Sequence, residues 1–361
     1  MSNVLIAGGG SGGHVAPAIA IAEALRIRSC DVLIAHSTRA IDQQMVHETA
    51  FQAISLSAKP LSLSPIGFIK FCRGFLQAAR QTKSLIREHN LKCVIATGGF
   101  VAAPALWAAS QMNVPTVLIN FDKPAGKANK LASRWTDTIL STVGWDEVDA
   151  KIVPPPLRAC SISNRDQRTN SLELGLDSKK MTLLVTGASQ GAGTINELIP
   201  ALAKVAPILF MNWQILHLTG EGKTQTVKEA YQDTSVAHLV LPFTSEIGTF
   251  WGAADLAVTR GGANTIAEIA FNAVPTVVLP YPYHDDDHQR TNAEPLEAVG
   301  GIVIETDYKA LDANMRDAGQ TILSLLSNHQ KRFKMQQALT LEAPINGASL
   351  IADTVLAAIT S

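Results

Sequence analysis

Two doubly wound α/β domains in tandem are the fold class that this sequence predicts, on three observations. Short apolar runs alternate with helix-length segments from one end of the chain to the other. The runs are continuously apolar, as strands of a parallel sheet are when helices cover both faces. The alternation occurs twice, in two halves separated by Pro154-Pro155-Pro156, where neither a helix nor a central strand can continue.

In the first half, strands are predicted at residues 4–7, 32–35, 93–97, 116–119 and 138–141, with helices at 16–28, 66–87, 102–111 and 127–135. The proline run and the polar stretch 161–178 then form a seam. Beyond it, strands are predicted at 182–185, 214–218, 239–241, 256–259 and 276–279, and helices at 194–205, 265–272 and 287–299. Residues 348–359 read as one more amphipathic helix. The expected domains are 1–157 joined by the tail 343–361, and 158–342, facing each other across a ligand cleft.

At 361 residues the chain has the length of about two domains. With 47% hydrophobic and 17% charged residues it can bury a large core. Thirty basic residues against 31 acidic ones leave a net charge of −1, which gives no global field for nucleic acid and argues against that partner. The cysteines Cys30, Cys72, Cys93 and Cys160 are scattered and read as small core residues in a reducing compartment. The first residues carry no secretory signal pattern, and no apolar run approaches the ~18 residues of a membrane span. The expected location is the cytosol, unless the surface holds the chain to a membrane.

Residues 255–300 carry the clearest chemistry. A predicted strand runs into Arg260-Gly261-Gly262-Ala263-Asn264-Thr265-Ile266-Ala267-Glu268, and the next runs into a polar loop ending at His288-Gln289. Open α/β sheets bind ligands at the carboxyl ends of their strands. Gly261-Gly262 lets a backbone come close to a ligand, and the following helix turns its N–H groups toward it. Glu268, one turn on, can accept two hydroxyl hydrogen bonds from a sugar ring. This stretch reads as a nucleotide-sugar pocket, or else as a plain strand–turn–helix with a solvated Glu.

Three further glycine loops follow strands: Gly8-Gly9-Gly10-Ser11-Gly12-Gly13-His14, Thr97-Gly98-Gly99-Phe100 and Gly187-Ala188-Ser189-Gln190-Gly191-Ala192. Each suits a phosphate at a helix N-terminus, and each alone also fits a plain βα turn. The first could be a dinucleotide fingerprint with Asp31 as its ribose acid, but Asp31 opens the second strand rather than ending it. His14, where a glycine loop meets a helix, can polarise an anion, act as a general base, or simply cap the helix. The cluster His284-Asp285-Asp286-Asp287-His288 reads as a polar loop and helix start; neither a metal nor another cofactor is predicted.

Residues 49–87 contain no Asp or Glu and carry Lys59, Lys70, Arg73, Arg80, Lys83 and Arg87 among Ile66, Phe68, Ile69, Phe71, Phe75 and Leu76. A basic amphipathic helix with aromatics reads as an anchor on an anionic membrane surface; an ordinary core-facing helix is the other reading.

Taken in order and spacing, these motifs resemble the MurG family of bacterial peptidoglycan glycosyltransferases. The likeness rests on residues 8–17, 97–104, 187–192 and 260–268, followed by His288-Gln289 and Asn292-Ala293, and spans nearly the whole chain. The resemblance implies a GT-B fold, no metal requirement, and attachment to the cytoplasmic face of the cell membrane. It implies transfer of N-acetylglucosamine, with inversion, from UDP-N-acetylglucosamine to lipid I. His14 would be the base. The donor would meet Ser11, Gly12, Gly13, Asp122, Arg158, Ser189, Thr244, Ala263, Asn264, Thr265, Ile266, Ala267, Glu268 on the ribose, and Gln289 on the sugar. The acceptor diphosphate would sit on Gly10, Ser11, Gly12, Gly13, Gly98 and Gly99. The membrane patch would comprise Phe68, Ile69, Lys70, Phe71, Arg73, Phe75 and Arg80, and proteins of cell-wall synthesis or division are further expected partners.

Two motifs depart from the family. Its His-Glu-Gln-Asn reads Ile119-Asn120-Phe121-Asp122 here, so an aspartate that cannot donate when ionised replaces an amide. Its Gly-Asn-Pro-Val-Arg reads Pro154-Pro155-Pro156-Leu157-Arg158. A related sugar transferase or epimerase, a non-catalytic UDP-sugar sensor and a nicotinamide oxidoreductase are the alternatives.

Overall fold

A computed structural model describes residues 3–10, 12–62, 64–187, 191–283, 287–342 and 345–360. They fall into two compact units, one running to Arg158 and resumed at Ile345, the other starting at Ala159.

The first unit is built on seven strands: β1 (Asn3–Gly8), β2 (Asp31–His36), β3 (Gln52–Ser55), β4 (Cys93–Gly98), β5 (Thr116–Asn120), β6 (Thr138–Ser141) and β7 (Lys151–Ile152). They pair in parallel in the order β3-β2-β1-β4-β5-β6-β7. The continuous apolar runs have the cause expected of them. Val4 and Ile6 enter the core on one face of β1, Leu5 and Ala7 the core on the other, and all four are fully buried. A buried Leu or Ile side chain stabilises by roughly 1.5–3 kcal/mol relative to exposure.

Helix Gly12–Ile27 covers the first face together with Gly347–Thr360, which supplies Ala348, Ile351, Ala352 and Val355 to that core. Arg28 ties this C-terminal helix down through Asp353 at 2.7 Å and Ser349 Oγ at 2.6 Å. Pro65–Glu88 and Ala102–Ser110 cover the second face.

The second unit carries β8 (Met181–Thr186), β9 (Trp213–Leu218), β10 (Ala237–Leu241), β11 (Leu256–Thr259), β12 (Thr276–Val278) and β13 (Ile302–Ile304), parallel in the order β10-β9-β8-β11-β12-β13. Its glycine loops leave β8 and β11, the two central strands.

Several elements go beyond the sequence expectation. β3, β7 and β13 are short strands, all three at sheet edges, whose few residues give no periodic signal. Helices Ala40–His47, Thr224–Tyr231, Ile247–Ala253, Ala318–Ser327 and His329–Leu341 are also additional. The first helix begins at Gly12 rather than near 16, so His14 lies in its first turn.

All four cysteines are free thiols, and burial pushes Cys93 up to about 12.

Candidate functional site

In the first unit, the loops after β1 and β4 interlock. Gly98 and Gly99 take φ of +111° and +76°. A Cβ on Gly99 would stand 1.7 Å from the Gly9 carbonyl oxygen, and one on Gly98 would stand 2.6 Å from His14 Nδ1. Only glycine allows this approach. His14 is held from both ends: Thr97 Oγ1 donates to its carbonyl at 2.8 Å, and its Nδ1 lies 3.1 Å from the Thr97 carbonyl oxygen. A carbonyl can only accept, so Nδ1 carries the proton and the lone pair of the neutral ring is on Nε2. The half-buried imidazole thereby has a fixed tautomer, as a general base requires.

The amides of the first loop are partly occupied. Gly10 N–H donates to Asp42 Oδ2 at 2.6 Å, and Gly9 N–H points at the Gly98 carbonyl at 3.4 Å. Of the glycines expected to receive a diphosphate, Gly10 therefore already serves a carboxylate. Asp42 carried no signal in the sequence, being an isolated acid two residues into a short helix.

Asp122 is half-buried just past β5, and its carbonyl accepts from Asn120 Nδ2 at 2.9 Å. Asn120 Oδ1 accepts in turn from Asn129 Nδ2 at 3.0 Å, while the buried Asn129 Oδ1 has no partner among the described residues. Arg158 follows Leu157, whose N–H and carbonyl are both held by Asn346 at 3.0 and 2.8 Å. Asp31 begins β2 at the amino edge of the sheet, in register with Asn3 and away from the glycine loops, so it cannot serve a ribose there.

In the second unit, loops from the carboxyl edge converge on Arg260, just past β11. Its buried guanidinium donates to the carbonyls of Leu279 (2.8 Å) and Pro280 (3.0 Å) and to Thr194 Oγ1 (2.9 Å), and pairs with Asp307 at 2.8 Å. Burial alone would raise the Asp307 carboxyl. Hydrogen bonds from Thr194, Asn314, the Lys309 amide and Arg260 outweigh it and hold the group below its ordinary value. Thr194 opens the helix after the β8 loop, and Asp307 follows β13. The network thus ties three loops together through residues that no motif in the sequence joined.

Gln289, in the first turn of helix His288–Ala298, accepts at Oε1 from Gly261 N–H (3.2 Å) and Tyr281 N–H (2.9 Å). Two backbone donors on one oxygen fix the amide, leaving Nε2 as the donor end. Asn292 Nδ2 donates to the Gly261 carbonyl at 3.2 Å, and a Cβ on Gly261 would stand 2.2 Å from the Gln289 carbonyl oxygen. The two segments singled out in the sequence are therefore in contact.

Ala263, Asn264, Thr265, Ile266 and Ala267 form the first turns of helix Ala263–Asn272, with Thr265, Ile266 and Ala267 buried. Glu268 accepts from Ser161 Oγ at 3.0 Å and Trp251 Nε1 at 3.1 Å, one donor on each oxygen. These two donors orient the carboxylate. Trp251 also walls a cavity of about 430 Å³, with Arg332 and Phe333, at the amino ends of β11 and β12. That is the sheet edge opposite the glycine loops. Thr244 lies half-buried past β10 and accepts from the Glu246 amide at 3.1 Å.

Beneath the β8 loop, His217 is fully buried. Its Nε2 lies 3.1 Å from Asn196 Oδ1 and its Nδ1 2.9 Å from the Tyr231 hydroxyl. Asn196 donates through Nδ2 to the Thr219 carbonyl at 3.0 Å, so Oδ1 accepts from His217. Burial, then the neighbouring His238, lower its pKa to about 3.

Ser11, Ser189 and His284-Asp285-Asp286 lie outside the described residues. Among the described residues, no group of three or more His, Cys, Asp or Glu could hold a metal ion.

Two family models cover most of the chain: the glycosyltransferase family 28 N-terminal domain at residues 4–141 and the family 28 C-terminal domain at residues 182–353. A transferase from Halothermothrix orenii is 33% identical, over 84% of this chain and 85% of its own. The chain belongs to glycosyltransferase family 28.

Another relative, from Natranaerobius thermophilus, is 31% identical over 93% of this chain and 94% of its own. Both relatives are named UDP-N-acetylglucosamine–N-acetylmuramyl-(pentapeptide) pyrophosphoryl-undecaprenol N-acetylglucosamine transferase. Among solved structures, Acinetobacter baumannii MurG superposes with a TM-score of 0.76 at 22% identity, covering 99% of this chain and 100% of that one. That likeness establishes the fold, the GT-B architecture of two Rossmann-like domains.

Proposed function

We propose that this family 28 enzyme transfers N-acetylglucosamine from UDP-N-acetylglucosamine to lipid I, forming lipid II in peptidoglycan synthesis. The observation that carries it is identity of 31 and 33% to transferases of that name, over 93 and 84% of the chain.

The second unit takes the donor. Backbone amides at the starts of helices Gly193–Val205 and Ala263–Asn272 face the UDP phosphates, the Glu268 carboxylate receives the ribose hydroxyls, and the Gln289 Nε2 amide donates to the sugar. Arg158 adds positive charge for the departing diphosphate. The first unit takes the acceptor at the loops of Gly98, Gly99 and His14. As the acceptor hydroxyl attacks the anomeric carbon, His14 Nε2 removes its proton and the resulting imidazolium is steadied by the Thr97 carbonyl.

The chain attaches peripherally to the cytoplasmic face of the membrane. Supporting this, Ile66, Phe68 and Ile69 are 69%, 51% and 59% exposed on helix Pro65–Glu88, beside Lys70, Arg73 and Arg80. Phe71 is half-buried, and Phe75 turns inward to pack on Trp107 and Trp135 at 5.7 and 6.3 Å. The contact surface therefore centres on the first turns of the helix. Among the described residues, no helix is long and apolar enough to cross a membrane.

The test is incubation of the purified chain with radiolabelled UDP-N-acetylglucosamine and a lipid I analogue. Label in the lipid fraction supports the assignment; release of free sugar or UDP without lipid-bound label refutes it.

A further inference from the structure

The first glycine loop rests on a carboxylate, which is an awkward seat for a diphosphate. Asp42 is fully buried beneath it, accepts from Gly10 N–H at 2.6 Å and from Ser37 Oγ at 2.5 Å through Oδ2, and its Oδ1 has no partner among the described residues. An anion brought to the Gly10 amide would find it occupied and would meet a like charge behind it. Gly9 N–H is likewise directed at the Gly98 carbonyl. A positive group is needed at this edge of the sheet, and one stands there.

Arg39, immediately before helix Ala40–His47, is exposed, and its Nη1 donates to the Gly10 carbonyl oxygen. Its guanidinium carbon stands 5.4 Å from the centre of the Phe100 ring. That ring also packs on Gly10, where a Cβ would come within 2.7 Å of it. One bond to a carbonyl and one aromatic face hold the guanidinium plane, and Arg39 makes no ion pair among the described residues. A fixed, planar fork of N–H donors suits two oxygens of a phosphate better than a mobile ammonium does.

We infer that Arg39 binds the diphosphate of the polyprenyl acceptor, and that Asp42 is a positioning group that fixes the Gly10 carbonyl beside it. This rests on the reading that the first unit receives a lipid-linked diphosphate.

The experiment measures equilibrium binding of farnesyl diphosphate and farnesol to the full chain in neutral detergent micelles, with UDP binding and Tm alongside. Arg39→Met keeps an apolar stem over Phe100 and removes the charge; Arg39→Lys keeps the charge without the fork. The Met variant is expected to bind farnesyl diphosphate about 10-fold or more weakly, with a shallower salt dependence. Its UDP affinity and Tm should be unchanged, and the Lys variant should recover part of the loss. Unaltered farnesyl diphosphate binding in the Met variant overturns the inference, and so does an equal loss of UDP binding. If wild type transfers sugar to lipid I but binds farnesyl diphosphate no better than farnesol, the inference falls and the function stands. Should it bind the diphosphate through Arg39 yet transfer no sugar, the inference stands and the function falls.

Discussion

At the scale of single residues, His14 and His217 show what surroundings do to one side chain. His14 is half-buried at a loop edge with its tautomer set by one carbonyl, which leaves the lone pair of the neutral ring on Nε2. Replacing it, His14→Ala, should cut turnover about 100-fold or more while leaving UDP-N-acetylglucosamine affinity nearly intact. Steady-state kinetics beside calorimetric titration checks this, and unchanged turnover removes His14 from the chemistry. His217 is locked neutral between Asn196 and Tyr231, with its pKa lowered from 6.5 to about 3. The unfolded chain binds the proton first as pH falls, so the stability this residue contributes is complete above pH 6.5 and declines down to about 3. The loss at pH 5 should be about 2 kcal/mol. Urea melts from pH 7 to 4 test it, and His217→Gln should flatten the slope in that window. His14 was legible because a histidine ending a glycine run is unusual. His217 was not, since a lone histidine in an apolar strand looks like any other core position.

At the scale of elements, the parallel strands were readable because both faces are buried, which leaves a continuous apolar run. Edge strands β3 and β7 were unreadable for the converse reason: edge positions tolerate polar residues such as Gln52 and Lys151. The glycine loops were visible as motifs, but their interlocking was not. Gly9 against Gly99, Gln289 against Gly261 and Asp42 beneath Gly10 are contacts across about 30 to 90 residues of sequence that local pattern cannot carry. The basic helix is a mixed case. Its composition pointed to a membrane face, and the structure divides it, with Ile66, Phe68 and Ile69 outward and Phe75 inward. Changing Ile66, Phe68 and Ile69 together to Ser should abolish co-flotation with anionic vesicles and preserve transfer to a water-soluble acceptor analogue. Retained flotation would return that helix to an ordinary solvent-facing role.

For the whole molecule, each unit is a parallel sheet whose helix N-termini and glycine turns collect at the carboxyl ends of the strands, the edge where open α/β sheets bind ligands. In the second unit that edge is braced by Arg260, Thr194 and Asp307, and it presents an oriented carboxylate at Glu268 and an oriented amide at Gln289. The central claim is that this edge holds the nucleotide sugar. Its most direct test is a crystal structure determined after soaking with UDP-N-acetylglucosamine. The account predicts ribose density at the Glu268 carboxylate and sugar density within hydrogen-bond distance of Gln289 Nε2. Density for the ligand elsewhere, with the edge around Gly261 empty, would contradict it.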